Sequence, residues 1–211
     1  MKSKRHHYSI LVIDIEKFGR RSDPVQQWLR ERLYELTEQS LEEIGVDPAA
    51  DPLPQDRGDG FFWLFPGTVP KTDLAGHFVA TLWRKLLGYA RTSSDEAVLR
   101  LRVALHAGEV AWDGKGWVGT DLNVACRLVD LAPLRAALAA GRRSGLALSV
   151  SDQWYRSVIR HGYPEVDRPS FRPVRFDAKE IVNETAWVRV PGYHAPPGIG
   201  DWEPREALPH P

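Results

Sequence analysis

Tyr8-Ser9-Ile10-Leu11-Val12-Ile13-Asp14 is an apolar, β-branched run that stops on a carboxylate. Four consecutive apolar residues without polar alternation predict a central strand covered on both faces. Such a strand needs a sheet beside it and helices packed on that sheet. A second stretch, Gln55-Asp56-Arg57-Gly58-Asp59-Gly60 followed by Phe61-Phe62-Trp63-Leu64-Phe65, has the turn residues of a hairpin before an aromatic strand. It places Asp59 on a hairpin tip. Antiparallel pairing of the two strands would make Asp14 and Asp59 neighbours. Two ionised carboxylates ~4 Å apart repel by about 4 kcal/mol at an effective dielectric of 20. A divalent cation removes that repulsion, and Mg²⁺ characteristically takes one or two carboxylates together with substrate phosphates. Taken singly, each aspartate also suits a plain turn.

Outward from these strands, Asp23-Pro24 reads as a helix start, with Asp23 as N-cap and Pro24 at the first helical position. Val25, Trp28, Leu29, Leu33, Leu36 and Leu41 then recur at helical spacing up to Ile44, and Gly45 is a stop. Leu74 to Leu87 is a second amphipathic helix. Val98 to His106 is a strand, and Gly108 to Gly116 a hairpin returning from it. Leu122 to Leu138 reads as one helix, Leu146 to Val150 as a strand, and Ser151-Asp152 as the cap of a short helix to Ile159. Phe171 to Phe176 and Ala186 to Val190 are two late strands. Strands and helices mix without strict alternation, so the fold class is α+β, one sheet with flanking helices. Residues 1–190 are expected to form one domain, and the Pro- and Gly-rich 191–211 a tail without a hydrophobic period.

Composition excludes several classes. The 211 residues carry 28 Lys plus Arg against 28 Asp plus Glu, so no basic excess points to a nucleic-acid partner. The basic residues Lys2, Lys4, Arg5, Lys17, Arg20 and Arg21 read as a solvated face or a phosphate-binding fringe near Asp14. The single cysteine, Cys126, forms no internal disulfide and no cysteine-based zinc site, and reads as a small buried hydrophobe. The basic N-terminus runs straight into a short strand without the long apolar stretch of a signal peptide, and no run reaches the ~20 residues of a membrane helix. A cytoplasmic chain with no membrane partner is expected. His106 falls on a core strand and reads as a satisfied buried histidine.

Asn123 and Arg127 are four residues apart and share one helical face. Arg supplies permanent charge to a phosphoryl centre, and Asn can fix a sugar oxygen. Four segments now stand in order: Ile13-Asp14-Ile15-Glu16-Lys17-Phe18; Arg57-Gly58-Asp59; Leu101-Arg102-Val103-Ala104-Leu105-His106-Ala107-Gly108-Glu109-Val110; and Gly119-Thr120-Asp121-Leu122-Asn123-Val124-Ala125-Cys126-Arg127-Leu128. Together they resemble the catalytic domain of the class III nucleotidyl cyclases over roughly residues 8 to 190. The resemblance implies a ferredoxin-like, palm-type sheet with flanking helices, and a head-to-tail homodimer with active sites shared between subunits. It implies that Asp14 and Asp59, with the backbone carbonyl of Ile15, hold two Mg²⁺ or Mn²⁺ ions per site. Asn123 would orient the ribose and Arg127 would stabilise the transition state, both reaching the site of the opposite subunit. Phe18 and Gly19 match the loop that wraps the phosphates. Lys179 matches a lysine that grips the terminal phosphates, although Glu180 follows it where the family usually has Gly.

The purine-reading pair of that family is missing. Gln55 and Gly116 stand where adenylate cyclases carry Lys and Asp and guanylate cyclases carry Glu and Cys. Gly116 supplies no side-chain hydrogen bond, so purine discrimination would be lost. The pattern is similar to the short bacterial cyclases that make cyclic UMP or cyclic CMP in anti-phage signalling, which act through an effector that binds the cyclic nucleotide. UTP or CTP is then the expected substrate, with Gln55, Asp56, Arg57 and Trp117 placed to read the base. Three other readings compete: a nucleotide-binding sensor or dimerisation module that does not cyclise, a purine cyclase with an unusual base code, and another two-metal palm enzyme, to whose hairpin Gly58-Asp59-Gly60-Phe61 is similar.

Overall fold

A computed structural model describes residues 4–178 and 181–199. The chain order is β1 (Arg5–Ile15), α1 (Asp23–Glu42), β2 (Gln55–Asp56), β3 (Gly60–Phe65), α2 (Lys71–Asp73), α3 (Val79–Ala90), β4 (Leu101–Trp112), β5 (Trp117–Val118), α4 (Thr120–Val129), α5 (Ala132–Ala140), β6 (Leu146–Ser151), α6 (Asp152–Ser157), β7 (Arg172–Ala178) and β8 (Ile181–Arg189). A π-helical stretch, Leu74–Phe78, joins α2 to α3. The strands form one sheet in the order β2-β3-β1-β4-β6-β8-β7, with β5 on β4. Among the described residues only the β4–β6 pairing is parallel. The fold is α+β, as expected.

The apolar run of β1 is central and feeds both faces. Leu11, Ile13 and Ile15 pack with Leu29, Leu33 and Leu41 of α1 and with Leu82 and Leu86 of α3. Ile10 and Val12 pack with Leu122, Ala125 and Leu128 of α4 and with Leu134 and Leu138 of α5. Alternate side chains of a strand take opposite faces, so a run buried on both has no polar positions until Asp14.

Several boundaries differ from the sequence reading. Ser22, not Asp23, is the N-cap of α1, and Asp23 and Pro24 both lie inside it. Helix α1 ends at Glu42 and not Ile44; Gly45, at φ 77°, turns the chain while Val46 N–H donates to the Leu41 carbonyl. β4 does not turn at Gly108. It runs on to Trp112, because β1 pairs with it from Arg5↔Ala111 to Ile15↔Leu101, and the turn falls at residues 113–116. The helix expected over Leu122–Leu138 is broken at Asp130 and Leu131. Leu131 is extended (ψ 133°) as the N-cap of α5, and Pro133 in its first turn has no N–H to continue a helix from α4. Ser151 caps α6 as read, accepting from the Trp154 N–H at 3.2 Å. Residues 191–199 lie against α5, with Tyr193 and Ile199 packed on the second core cluster.

Candidate active site

β1 pairs with β3 so that Asp14 stands opposite Gly60, the residue after Asp59. The Ile15 N–H donates to the Asp59 carbonyl at 2.9 Å, and the Arg57 N–H donates to the Gly60 carbonyl at 2.8 Å. Glycine at 60 is required by this approach: a Cβ there would overlap the Ile13 carbonyl oxygen. The two expected carboxylates are thereby brought to one end of the sheet, Asp14 buried and Asp59 exposed.

Asp14 shares its sheet face with α4, as does Arg102 directly across the β1–β4 ladder. Arg102 donates to Asp14 through Nε at 3.0 Å and again through a terminal nitrogen, and both bonds land on Oδ1. Oδ2 accepts no hydrogen bond among the described residues. Burial pushes the Asp14 carboxyl up to about 6; the Arg102 guanidinium works against that shift, while the charges of Asp59 and Asp130 add to it. Residual negative charge that burial and a neighbouring carboxylate disfavour is what a cation relieves. Among the described residues no group of three or more His, Cys, Asp or Glu side chains could hold a metal ion. What this end of the sheet offers is two carboxylates and the backbone oxygens around Ile15. Hard oxygen donors of that number fit an ion that completes its shell with phosphate and water.

The turn carrying Asp59 is held from α1. Arg30 donates to the Gly58 carbonyl and to Asp56 Oδ2; Tyr34 Oη donates to the same oxygen at 3.1 Å. Asp56 Oδ1 accepts the Gly58 N–H at 2.8 Å. The guanidinium beside Asp56 holds its carboxyl below the usual range. Sequence reasoning assigned Asp56 to base reading and gave Arg30 and Tyr34 no role. Their i, i+4 spacing on α1 was the available signal.

Asn123 is exposed on α4, and Arg127 one turn later is half-buried. The Arg127 Nε is buried without a hydrogen-bond partner among the described residues. Arg57 and Arg127 both lie close enough to Cys126 to act on its thiol, which burial nevertheless pushes up. Phe18 and Gly19 sit in a 3-10 turn (Phe18–Arg20) entered through left-handed Lys17 at φ 57°. Phe18 is partly buried against the core, and the N–H groups of Arg20 and Arg21 close the turn. Gln55 is folded back, its amide donating to the Leu53 carbonyl at 3.0 Å. Gly116 lies in a turn in which its own N–H and that of Lys115 donate to Asp113 Oδ1 at 2.9 and 2.8 Å. Lys179 lies outside the described residues.

His106 is buried and satisfied, as read. Its Nδ1 is 2.8 Å from Ser151 Oγ and its Nε2 is 3.4 Å from Asp121 Oδ1. Asp121 also accepts the Glu109 N–H at 2.6 Å. Gly108 makes room for that carboxylate, since a Cβ there would overlap it.

No family model matches the chain, and no curated protein matches it. Solved structures do. An adenylate/guanylate cyclase/hydrolase from Silicibacter pomeroyi superposes with a TM-score of 0.62 at 18% identity, over 90% of this chain and 99% of that one. The guanylate cyclase domain of RhGC from Catenaria anguillulae, in complex with GTP, gives 0.58 at 15% identity, over 89% and 98%. A bacterial light-regulated adenylyl cyclase gives 0.62 at 13%, over 92% of this chain and 55% of that one. The fold is that of the class III cyclase domain.

Proposed function

We propose that this chain is a nucleotidyl cyclase, converting a nucleoside triphosphate into its 3′,5′-cyclic monophosphate and pyrophosphate. The observation that carries the reading is the juxtaposition of Asp14 and Asp59 at one end of the sheet, in a domain whose α4 presents Asn123 and Arg127 together. Mg²⁺ or Mn²⁺ held by Asp14, Asp59 and the Ile15 carbonyl would supply acidification of the ribose 3′-hydroxyl and neutralisation of the triphosphate. The protein's own part is placement. Asp14 Oδ2 accepts from no donor among the described residues, Arg102 fixes the carboxylate through Oδ1, and Gly60 sets its distance from Asp59. Asn123 orients the sugar, and Arg127 meets charge developing on the transferred phosphoryl group. Phe18 and Gly19 line the phosphate path and Lys179 grips its end. Asn123 and Arg127 serve the site of a second copy, so the working unit is a homodimer.

The substrate is assigned as UTP or CTP. Neither purine code stands at positions 55 and 116, and the Gln55 amide is occupied by a backbone carbonyl of its own segment. Asp56 is also taken, by Arg30 and Tyr34, which leaves Arg57 and Trp117 as readers of the base. The product would act as a second messenger on an effector in anti-phage defence. No helix among the described residues is long and apolar enough to cross a membrane.

One observation favours a second reading. Arg102 is ion-paired with Asp14 and offsets part of its charge, which would let the domain persist without metal as a nucleotide sensor. Incubation with ATP, GTP, CTP and UTP separately, with Mn²⁺ or Mg²⁺, and mass spectrometry of the products, separates these. Cyclic UMP or CMP is expected. Cyclic AMP or GMP would keep the reaction and remove the pyrimidine assignment. No cyclic product from any of them would leave the sensor.

A further inference from the structure

A cavity lies away from Asp14 and Asp59. It opens beside the C-terminal end of β6 and measures about 940 Å³, against 280–380 Å³ for the others described. None of Asp14, Ile15, Asp59, Asn123 or Arg127 lines it. Helix α4 forms one wall through Asp121, Val124 and Leu128, a stripe at i, i+3 and i+7 that is distinct from the Asn123–Arg127 stripe. The segment from α6 to His161 forms the second wall, and β7–β8 the third.

Its charges sort into spent and available groups. The Asp121 carboxylate is spent on the Glu109 N–H and His106. Asp152 is spent on Trp187 Nε1 at 3.0 Å and on Arg156 Nε at 2.6 Å. Arg156 is paired through Nε with Asp152, and the guanidinium of Arg160 makes no hydrogen bond or ion pair among the described residues. Two guanidiniums on one wall, beside the Ser157 hydroxyl, match a phosphate dianion. Val124 and the edge of largely buried Phe176, with Leu128 fully buried behind them, form the apolar part of the lining, suited to a flat ring. Exposed Glu184 on β8 is an acceptor for ring or ribose donors. The volume falls within the range of small-molecule sites.

We propose that this cavity is a second binding site, for a ligand of nucleoside monophosphate chemistry: the phosphate on Arg156 and Arg160, the ring on Phe176. The assignment does not depend on the cyclase reading.

Isothermal titration of the full chain with UMP tests it. UMP has no pyrophosphate to release, so turnover does not interfere. One UMP per chain is expected, with a Kd at or below about 1 mM. Arg160→Glu, an exposed position that leaves the fold intact, should weaken binding at least about tenfold, and Phe176→Ala should do likewise. Asp59→Ala should leave the affinity within about twofold. Inorganic phosphate should bind more weakly than UMP. The proposal fails if UMP does not bind, if Arg160→Glu is silent, if Asp59→Ala abolishes binding, or if phosphate binds as tightly as UMP.

Discussion

Arg30 of α1 and Asp56 of β2 form an ion pair that reaches past itself: the same guanidinium also holds the Gly58 carbonyl, one residue before Asp59. Both side chains are partly exposed, 31% and 49%, so the pair contributes under about 1 kcal/mol to stability. Its consequence is geometric. Arg30→Ala should move the melting midpoint by no more than about 4 °C. It should lower kcat about ten- to a hundredfold, because the Asp59 turn loses its tether to α1. Arg30→Lys should recover only part of the rate, since an ammonium has no fork to span a carboxylate and a carbonyl. Steady-state rates across a Mn²⁺ titration check this. An unchanged rate in Arg30→Ala would mean that Asp56 and Tyr34 hold the turn without it.

Gly60 tests the approach of the two strands directly. Its missing side chain lets β3 close on the Ile13 carbonyl, and that closeness brings Asp59 to Asp14. Gly60→Ala should cost about 1–3 kcal/mol, as over-packing does, read as a lower urea midpoint. Activity should fall further than the loss of folded protein accounts for. Gly58→Ala is the comparison: φ there is 91° and nothing lies near its Cβ, so backbone strain acts without a clash. Equal residual activity in the two variants at matched folded fraction would show that strand spacing is not what sets the carboxylates.

Much of this site was legible because its signals are local. An unbroken apolar run ending at Asp14 fixes a central strand, and Gly-Asp-Gly before aromatics fixes a hairpin; their antiparallel register follows from the alternation of Phe61, Trp63 and Phe65 toward one face. What failed was local evidence outweighed by pairing. Gly108 looks like a turn residue, but β1 supplies a ladder partner as far as Ala111, and the glycine serves instead to admit the Asp121 carboxylate. The Arg30–Asp56 tether showed only as the i, i+4 spacing of Arg30 and Tyr34, which does not say what they hold. Nothing in the 26-residue separation of Arg30 and Asp56 says that α1 passes over the β2–β3 turn. Arg102 was visible only as part of a motif, because its role comes from cross-strand register with Asp14.

The His106 network predicts how stability varies with acid. Burial pushes the His106 imidazole below its ordinary pKa; Asp121 works against the shift, while Lys71 and His7 add to it. With the folded value depressed, the unfolded chain binds more protons once pH falls below about 6.5. Stability contributed by neutral His106 is therefore full above that pH and is lost as pH drops toward the folded value. Urea midpoints at pH 7.5 and 5.0 should differ more for the natural chain than for His106→Gln, which keeps a donor and an acceptor but cannot be charged. Parallel losses in both proteins would place the acid sensitivity elsewhere.

Asn123 and Arg127 set the last prediction. Helix α4 buries Leu122, Ala125, Leu128 and Val129 against the sheet, and its opposite side carries Asn123 exposed with Arg127 beside it. In the proposed function these two side chains act on a second copy. Asp14→Ala and Arg127→Ala should each abolish turnover alone. Mixed one to one, half of the dimers would be heterodimers, each holding one intact site and one doubly damaged site. The mixture should then recover about a quarter of the natural rate, provided subunits exchange. Exchange is monitored separately by fluorescence transfer between labelled chains. If exchange is complete and no activity returns, Arg127 acts within its own chain or not at all, and the shared-site dimer is wrong.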